Sequence, residues 1–257
     1  MSDNQSQRSG SPTGSEENHE HDLPDPPAQW DVDAHLPRLE RESLNVTQEH
    51  LILALDHVGR LLDAKGIPWA VMGGLALYMH GNKNRNTRDV DIAIEARPKA
   101  AIEALRDNRV YTPPLLSMAG SGCGRFYVLT GPGYGEKVDR QIVEVDLIIG
   151  GKHAWSQRAN HDLNSRLTTA HTAAGERTYN VLSAAQLCRA KLHALEQREA
   201  ERDFNDLEWL CMNHCSEIAE IADTLDEIER VNFVDKYSER YPGKEEVVRA
   251  LKQALRI

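Results

Sequence analysis

The 257-residue chain lacks several features that would point to particular protein classes. Its four cysteines are sparse and form no CxxC pair, so reduced thiols are expected rather than a zinc site. Aromatic residues make up 5% of the chain, and no basic, aromatic-rich RNA-binding module or DNA-specific module is visible. No run approaches the roughly 18 consecutive apolar residues of a membrane helix, and the acidic N-terminus does not resemble a signal peptide. These absences predict a cytoplasmic protein with no membrane partner.

Excess basic charge is also lacking, because the formal net charge is -10. The acidic residues are concentrated at the two ends of the chain. Residues 1–45 carry 3 basic and 10 acidic side chains, and residues 183–257 carry 11 and 16, whereas residues 46–182 carry 16 and 14. Only the middle of the chain is therefore mildly basic, which is compatible with a bound anion there.

The composition divides the chain into three parts. Residues 1–42 are polar, acidic and poor in aliphatic side chains, which predicts a disordered acidic tail. Residues 43–182 alternate helical and strand patterns and predict a catalytic α/β domain with a mixed sheet flanked by helices. Residues 183–257 show helical patterns throughout, so an α-helical C-terminal region is expected.

The element boundaries follow from periodicity and from cap and turn residues. Predicted strands cover 67–72, 89–94, 126–129, 141–149 and 178–182. Predicted helices cover 47–66, 75–80, 98–106, 183–199, 203–213, 216–230 and 245–257.

Residues 71–94, VMGGLALYMHGNKNRNTRDVDIAI, carry the chemistry that the rest of the chain supports. Asp89 and Asp91 lie two residues apart on a predicted strand, so their carboxylates project from the same face and repel each other. Magnesium relieves this repulsion, because it binds a few carboxylates together with water and phosphate oxygens. Asp146, on a later strand with the same alternation, is the third acidic position and could complete a two-metal site.

The glycine turn and the basic loop of this segment favour a phosphate ligand. Gly73 and Gly74 let backbone N–H groups approach a phosphate closely, at the start of a short helix. Arg85 and Arg88 could neutralise a triphosphate from the loop before Asp89, although basic loop residues are more often simply solvated.

Together, the GG pair, TRDVDI and the later VEVDL resemble the nucleotidyltransferase superfamily over residues 71–149. The segment VLSAAQLCRAKLHALEQREAERDFNDLEWL resembles the AbiEii-type toxin branch, in which a helix lysine is followed by an arginine and an Asp-x-x-Asp. This resemblance implies that Lys191 contacts phosphate, with Arg198, Asp203 and Asp206 in supporting positions. Many superfamily members have a serine, whose hydroxyl touches phosphate, where this chain has Gly74, so that contact is in doubt.

The resemblance also implies a reaction, in which an acceptor hydroxyl attacks the α-phosphorus of a nucleoside triphosphate and pyrophosphate leaves. Magnesium, as two ions, or manganese in its place, is the implied cofactor. The implied catalytic and metal-binding residues are Asp89, Asp91 and Asp146, and the implied nucleotide-binding residues are Gly73, Gly74, Arg88 and Lys191.

Two other functions remain open from the sequence. A nucleotide-binding or interaction module of the same fold could have lost turnover, and a metal-dependent phosphohydrolase could use the same carboxylates. The absence of an HD motif counts against the phosphohydrolase. The acceptor, whether a small molecule, a protein or an RNA end, is not decided, although the acidic helical half favours the first two.

Overall fold

A computed structural model describes residues 32–113, 122–150, 165–172 and 175–257. Helices α1 to α9 span Val32–Glu42, Gln48–Ala64, Gly73–Met79, Pro98–Ala104, Ala184–Arg198, Glu201–Asn213, Cys215–Ile221, Glu227–Arg240 and Glu245–Leu255. Strands β1 to β7 span Trp69–Met72, Asp89–Ile94, Val110–Tyr111, Cys123–Thr130, Gln141–Ile149, Ser165–Thr172 and Gly175–Leu182.

The strands form one mixed sheet in the order β3-β4-β5-β2-β1-β7-β6. The β1–β2 pair is antiparallel, whereas β2–β5 and β1–β7 are parallel. Apolar residues of the central strands alternate into a core that also takes in α2 and the helical half, and Val90, Ile92 and Val145 are fully buried there. This confirms the predicted fold class, a mixed sheet with flanking helices followed by a helical region. None of the helices described in this structure is long and apolar enough to cross a membrane.

The predicted disordered tail, residues 1–42, is wrong at its C-terminal end. Residues 32–42 form α1, which packs on the sheet through Leu39, a residue only 1% exposed. Leu39 lies in a small apolar cluster with Tyr111 and Tyr127. Leu36 also packs against this cluster, and two leucines three residues apart in a polar segment carry little sequence signal. Residues 1–31 lie outside the described residues.

The helical half also departs from the prediction in one place. The helix predicted over 216–230 is two helices, because the chain leaves α7 through a short 3₁₀ turn at Ala222–Thr224. Asp226 then starts α8, and its carboxylate accepts hydrogen bonds from the backbone N–H groups of Ile228 and Glu229. Aspartate is a strong N-cap residue, so this break is one that the sequence could have revealed.

Strand β6 is a further difference, since no strand was predicted over residues 165–172, and the two-residue strand β3, Val110–Tyr111, was not predicted either. Strand β6 pairs antiparallel with β7 along its whole length at the edge of the sheet. Its sequence, SRLTTAHT, lacks a clear apolar alternation. Such a polar edge strand owes its conformation mainly to pairing with its neighbour, which sequence periodicity does not report.

Candidate active site

The parallel pairing of β2 with β5 brings the three predicted carboxylates together. In this register Asp91 lies opposite Asp146, and Asp89 lies opposite Glu144. Side chains at alternate positions share one face of a sheet, so two acidic residues from each strand point to the same side. The sequence therefore predicted the face correctly, and the structure adds that the two strands are direct neighbours.

The crowding of these acids shows in their pKa values. Burial, followed by the charges of Asp89 and Asp146, raises the pKa of Asp91 to about 7. Burial also raises the pKa of Glu144 to about 7, despite the opposing charge of Arg125. The pKa of Asp146 is raised as well, again mainly by burial. Because the ionised carboxylates are unfavourable at this site, a nearby positive charge would stabilise them.

Arg125 supplies part of that charge in the absence of a ligand. It projects from β4, next to β5, and its Nε lies 2.9 Å from Glu144 and 3.3 Å from Asp146. Its Nη1 reaches Glu40 of α1 at 3.4 Å. Because the Arg125 side chain is 45% exposed, these ion pairs are weak, and a metal ion bound to Asp146 would compete with them. The sequence analysis gave no role to Arg125.

The residues present fit magnesium in ligand type and in charge. Hard oxygen ligands on adjacent strands, with the pKa of Asp91 raised to about 7 by burial and then by neighbouring acids, are the donor set that magnesium prefers. Across the described ranges, no three acidic, histidine or cysteine side chains already converge with metal-binding geometry. Asp146, turned toward Arg125, is the carboxylate that would have to reorient.

Gly73 cannot be replaced without moving Asp91. It begins α3 with a φ of +62°, a conformation that side chains disfavour, and a Cβ at this position would lie 1.7 Å from Oδ2 of Asp91. The backbone of the glycine turn therefore lies in direct contact with the predicted metal ligand. This contact explains a glycine at position 73 by geometry, whichever ligand binds.

The second glycine makes room for Thr87, a residue that the sequence analysis missed. A Cβ on Gly74 would lie 2.6 Å from Oγ1 and 2.8 Å from Cβ of Thr87. The Thr87 hydroxyl donates a hydrogen bond of 2.6 Å to Oδ1 of Asp89. Any side chain at position 74, including serine, would thus overlap a hydroxyl that already orients Asp89. A threonine two residues before an aspartate was the available signal.

An ionic cluster, which we define as Arg85, Lys191, Arg198, Asp203 and Asp206, joins the loop before Asp89 to the helical half. Lys191 and the two aspartates are buried, whereas Arg198 is 45% exposed. The Lys191 ammonium lies 3.0 Å from Asp203 and 2.7 Å from Asp206. Arg198 donates two hydrogen bonds to Asp203, at 2.7 and 2.9 Å, and Nε of Arg85 lies 2.8 Å from Asp206. Burial opposes ionisation of Asp203, yet the hydrogen bond from Arg198 and the charge of Lys191 hold its pKa below the ordinary value.

The cluster bears on the two basic residues predicted to bind nucleotide. Lys191 is 9% exposed and already has two carboxylate partners, although its charge still lowers the pKa of Asp91. Arg88 is exposed and immediately precedes Asp89 in the sequence. The structure thus brings the two glycines and the three aspartates together, whereas Lys191 is buried and paired with carboxylates of the helical half.

The residues that form this site also lie within the match to a known protein family. The family model "Nucleotidyl transferase AbiEii toxin, Type IV TA system" matches residues 58–252, which include both glycines, all three carboxylates and the ionic cluster. The chain belongs to the AbiEii family. It is therefore a transferase of the nucleotidyl class, as the motifs predicted.

One solved structure with a TM-score above 0.5 shares the fold of this AbiEii-family chain. An antigenic nucleotidyltransferase-like protein from Paracoccidioides brasiliensis superposes with a TM-score of 0.53 at 18% identity, over 79% of this chain and 94% of that one. JHP933 from Helicobacter pylori gives 0.40 at 15% identity, over 82% and 92%. The antibiotic-resistance factor ANT(2'')-Ia gives 0.40 at 13% identity, over 75% and 96%. No curated protein matches the sequence.

Proposed function

We propose that the chain transfers a nucleoside monophosphate from a nucleoside triphosphate to an acceptor hydroxyl, with release of pyrophosphate. The observation that carries this proposal is the placement of Gly73 against Asp91, which itself lies opposite Asp146 on the neighbouring strand. A phosphate chain approaching the glycine turn would lie next to the carboxylates, where charge must be neutralised during transfer.

Each residue has a distinct part in this reaction. Asp89, Asp91 and Asp146 would hold magnesium, which when bound lowers the charge barrier between the carboxylates and the triphosphate. Thr87 orients Asp89 through its 2.6 Å hydrogen bond. The backbone at Gly73 and Gly74 would contact the triphosphate, and Arg88 would neutralise its outer charge.

The acceptor hydroxyl has to lose a proton as its oxygen bonds to the α-phosphorus. Asp146, which lies opposite Arg125 on the side of the acidic face toward β4, would accept that proton. Arg125 would leave Asp146 as the site fills. The acceptor itself is a small molecule, a protein or an RNA end, and the acidic helical half favours one of the first two.

The proposal is tested by incubating the protein with each labelled nucleoside triphosphate, magnesium and either bulk RNA or cell extract. We expect label transfer and pyrophosphate release, both abolished in Asp89→Asn and Asp91→Asn. Asp235→Asn, which removes the charge of an exposed aspartate on α8, is the matched control and should retain activity. Mass spectrometry of the labelled product would identify the acceptor.

Three other outcomes would contradict the proposal in different ways. Triphosphate binding that raises the melting temperature without pyrophosphate release would identify a module that has lost turnover. Release of phosphate or monophosphate without an acceptor would identify a hydrolase. If the protein neither binds nor transfers any nucleoside triphosphate, its function does not involve a nucleotide.

A further inference from the structure

The loop that precedes Asp89 is tied to the helical half by one buried ion pair. Nε of Arg85 lies 2.8 Å from Oδ1 of Asp206, although the two residues are 121 positions apart. The Arg85 side chain is 17% exposed and the Asp206 side chain only 1%. Charge-assisted hydrogen bonds between buried side chains are stronger than ion pairs on the surface, so this contact holds the loop in position.

Asp206 is itself held in place by the rest of the ionic cluster. Its second oxygen lies 2.7 Å from the Lys191 ammonium, which also binds Asp203, and Asp203 in turn binds Arg198. Asp203 and Asp206 lie on α6, whereas Lys191 and Arg198 lie on α5. The position of the Asp206 carboxylate is thus set by the packing of two helices of the C-terminal half.

On its other side, Arg85 lies against the glycine turn. A Cβ on Gly74 would lie 3.4 Å from Cζ of Arg85, so the guanidinium borders the space that a side chain at position 74 would fill. Arg85 therefore lies between Asp206 and the backbone of the turn at which we propose that triphosphate binds. The helical half reaches the glycine turn through this guanidinium.

We infer that Arg85 is a positioning residue, which transmits the placement of the helical half to the glycine turn and to the loop of residues 81–88. The inference rests on the proposed function for its nucleotide consequence only. Loss of either partner of the Arg85–Asp206 pair frees the loop and weakens triphosphate binding. Binding of divalent metal by the carboxylates of β2 and β5 is spared, since neither partner belongs to that acidic face.

The test compares Arg85→Met, Arg85→Lys and Asp206→Asn with Lys83→Met. Lys83 is the matched control because it lies in the same loop and carries the same charge, but its contacts are to the neighbouring Tyr78 rather than to the helical half. Hydrogen exchange of residues 81–88 is measured without ligand. The affinity for a non-hydrolysable triphosphate analogue with magnesium is measured by calorimetry, and Mn²⁺ binding by electron paramagnetic resonance.

We expect faster exchange of the loop in Arg85→Met and Asp206→Asn, and not in Lys83→Met. Both variants should weaken analogue binding by about tenfold, equivalent to about 1.4 kcal/mol, with unchanged Mn²⁺ binding. The double variant should bind no more weakly than either single variant, because both remove the same contact. Arg85→Lys should fall between wild type and Arg85→Met, since it keeps the charge and loses the guanidinium geometry.

Unchanged loop exchange in Arg85→Met would overturn the inference, as would additive losses of analogue affinity in the double variant. A lower melting temperature with wild-type exchange and affinity would reduce the pair to a purely stabilising contact and would also overturn it. If Asp206→Asn does not fold, Asp206→Glu takes its place, because it keeps the charge and displaces it. If the wild type binds no analogue, the proposed function fails, and loop exchange alone still decides the positioning role.

Discussion

Two pairs of aspartates in this protein lie in opposite electrostatic surroundings. Asp89 and Asp91 are two residues apart on a strand, and no lysine or arginine in the described part of the chain forms an ion pair with either. Asp203 and Asp206 are three residues apart on a helix, and each binds two cationic side chains of the chain itself. The pKa of Asp91 is raised to about 7 by burial and neighbouring acids, whereas the pKa of Asp203 is lowered.

The helix pair of aspartates therefore has its cationic partners within the protein, whereas the strand pair, on our proposal, needs a bound cation. The helix pair has its positive charge built in, so its contribution is to hold α5, α6 and the Arg85 loop together. The strand pair lies near the half-exposed Arg125, which pairs with Glu144 and Asp146, and the charges of Lys191 and Arg202 offset the rise in the pKa of Asp91 only in part. On our proposal, the positive charge that completes this pair comes from solution. The same residue type thus serves architecture in one region and, on our proposal, chemistry in the other.

Removing Lys191, the cation that Asp203 and Asp206 share, should have the largest effect on the stability of the protein. In Lys191→Met, Asp203 and Asp206 lose a shared partner while remaining buried, which should lower the free energy of unfolding by about 3–5 kcal/mol. Chemical denaturation measures this change. Lys252→Met, at an exposed position of α9, is the control and should change stability by less than about 0.5 kcal/mol. A wild-type unfolding midpoint for Lys191→Met would show that the cluster is not structural.

Gly73→Ala attacks the strand pair directly. The new methyl would overlap Oδ2 of Asp91 and occupy a backbone conformation with positive φ, which alone costs roughly 1–3 kcal/mol. We expect transfer activity to be lost together with Mn²⁺ binding, since Asp91 must turn away. Gly133→Ala, where a Cβ meets nothing within 4 Å, should be silent in both assays. Retained metal binding in Gly73→Ala would refute the contact.

Acid should weaken metal binding by the strand pair. The raised pKa means that folded Asp91 keeps its proton up to about pH 7, while the unfolded chain releases it near the ordinary value of 3.8. Without metal, this group therefore makes the protein less stable as pH rises between those values. Magnesium must displace the proton. Its affinity should therefore increase by up to about tenfold for each unit by which the pH rises toward neutrality. Calorimetry from about pH 6 to about pH 8 measures the trend, and an affinity that stays constant over this range would contradict it.

The smallest expected effect concerns the hydroxyl that orients Asp89. Thr87→Val keeps the shape that packs on Gly74 and removes the hydrogen bond, at a cost of about 1 kcal/mol, so the magnesium requirement should rise about fivefold. Thr87→Ser keeps the hydroxyl and should restore the wild-type requirement. Equal magnesium dependence in the valine and serine variants would show that shape, rather than the hydrogen bond, matters at this position.

Much of this arrangement could be predicted from the sequence because it is local. The strands bearing Asp91 and Asp146 were predicted from alternation within single segments, and their observed bounds, Asp89–Ile94 and Gln141–Ile149, agree. Family motifs identified the nucleotidyl transferase class, which the family match confirms. The metal, the reaction details and the roles of individual residues stay predictions.

What the sequence could not predict depends on contacts between distant segments. Nothing within residues 81–88 indicates that Arg85 meets Asp206, and nothing near Arg125 indicates that it spans Glu144 and Asp146. The pairing of β2 with β5 likewise depends on how the sheet assembles. The reason for Gly74 becomes clear only when Thr87 is seen in the space that a side chain would fill.

The parallel pairing of β2 with β5 also affects how such a protein can diversify. Two parallel neighbours require a long crossover, here residues 95–140, which contains α4, β3 and β4. Backbone hydrogen bonds and buried side chains of the two strands keep Asp91 opposite Asp146, whatever the length of the loops within the crossover. Insertions in the crossover can therefore be accommodated while Asp91 and Asp146 keep their spacing.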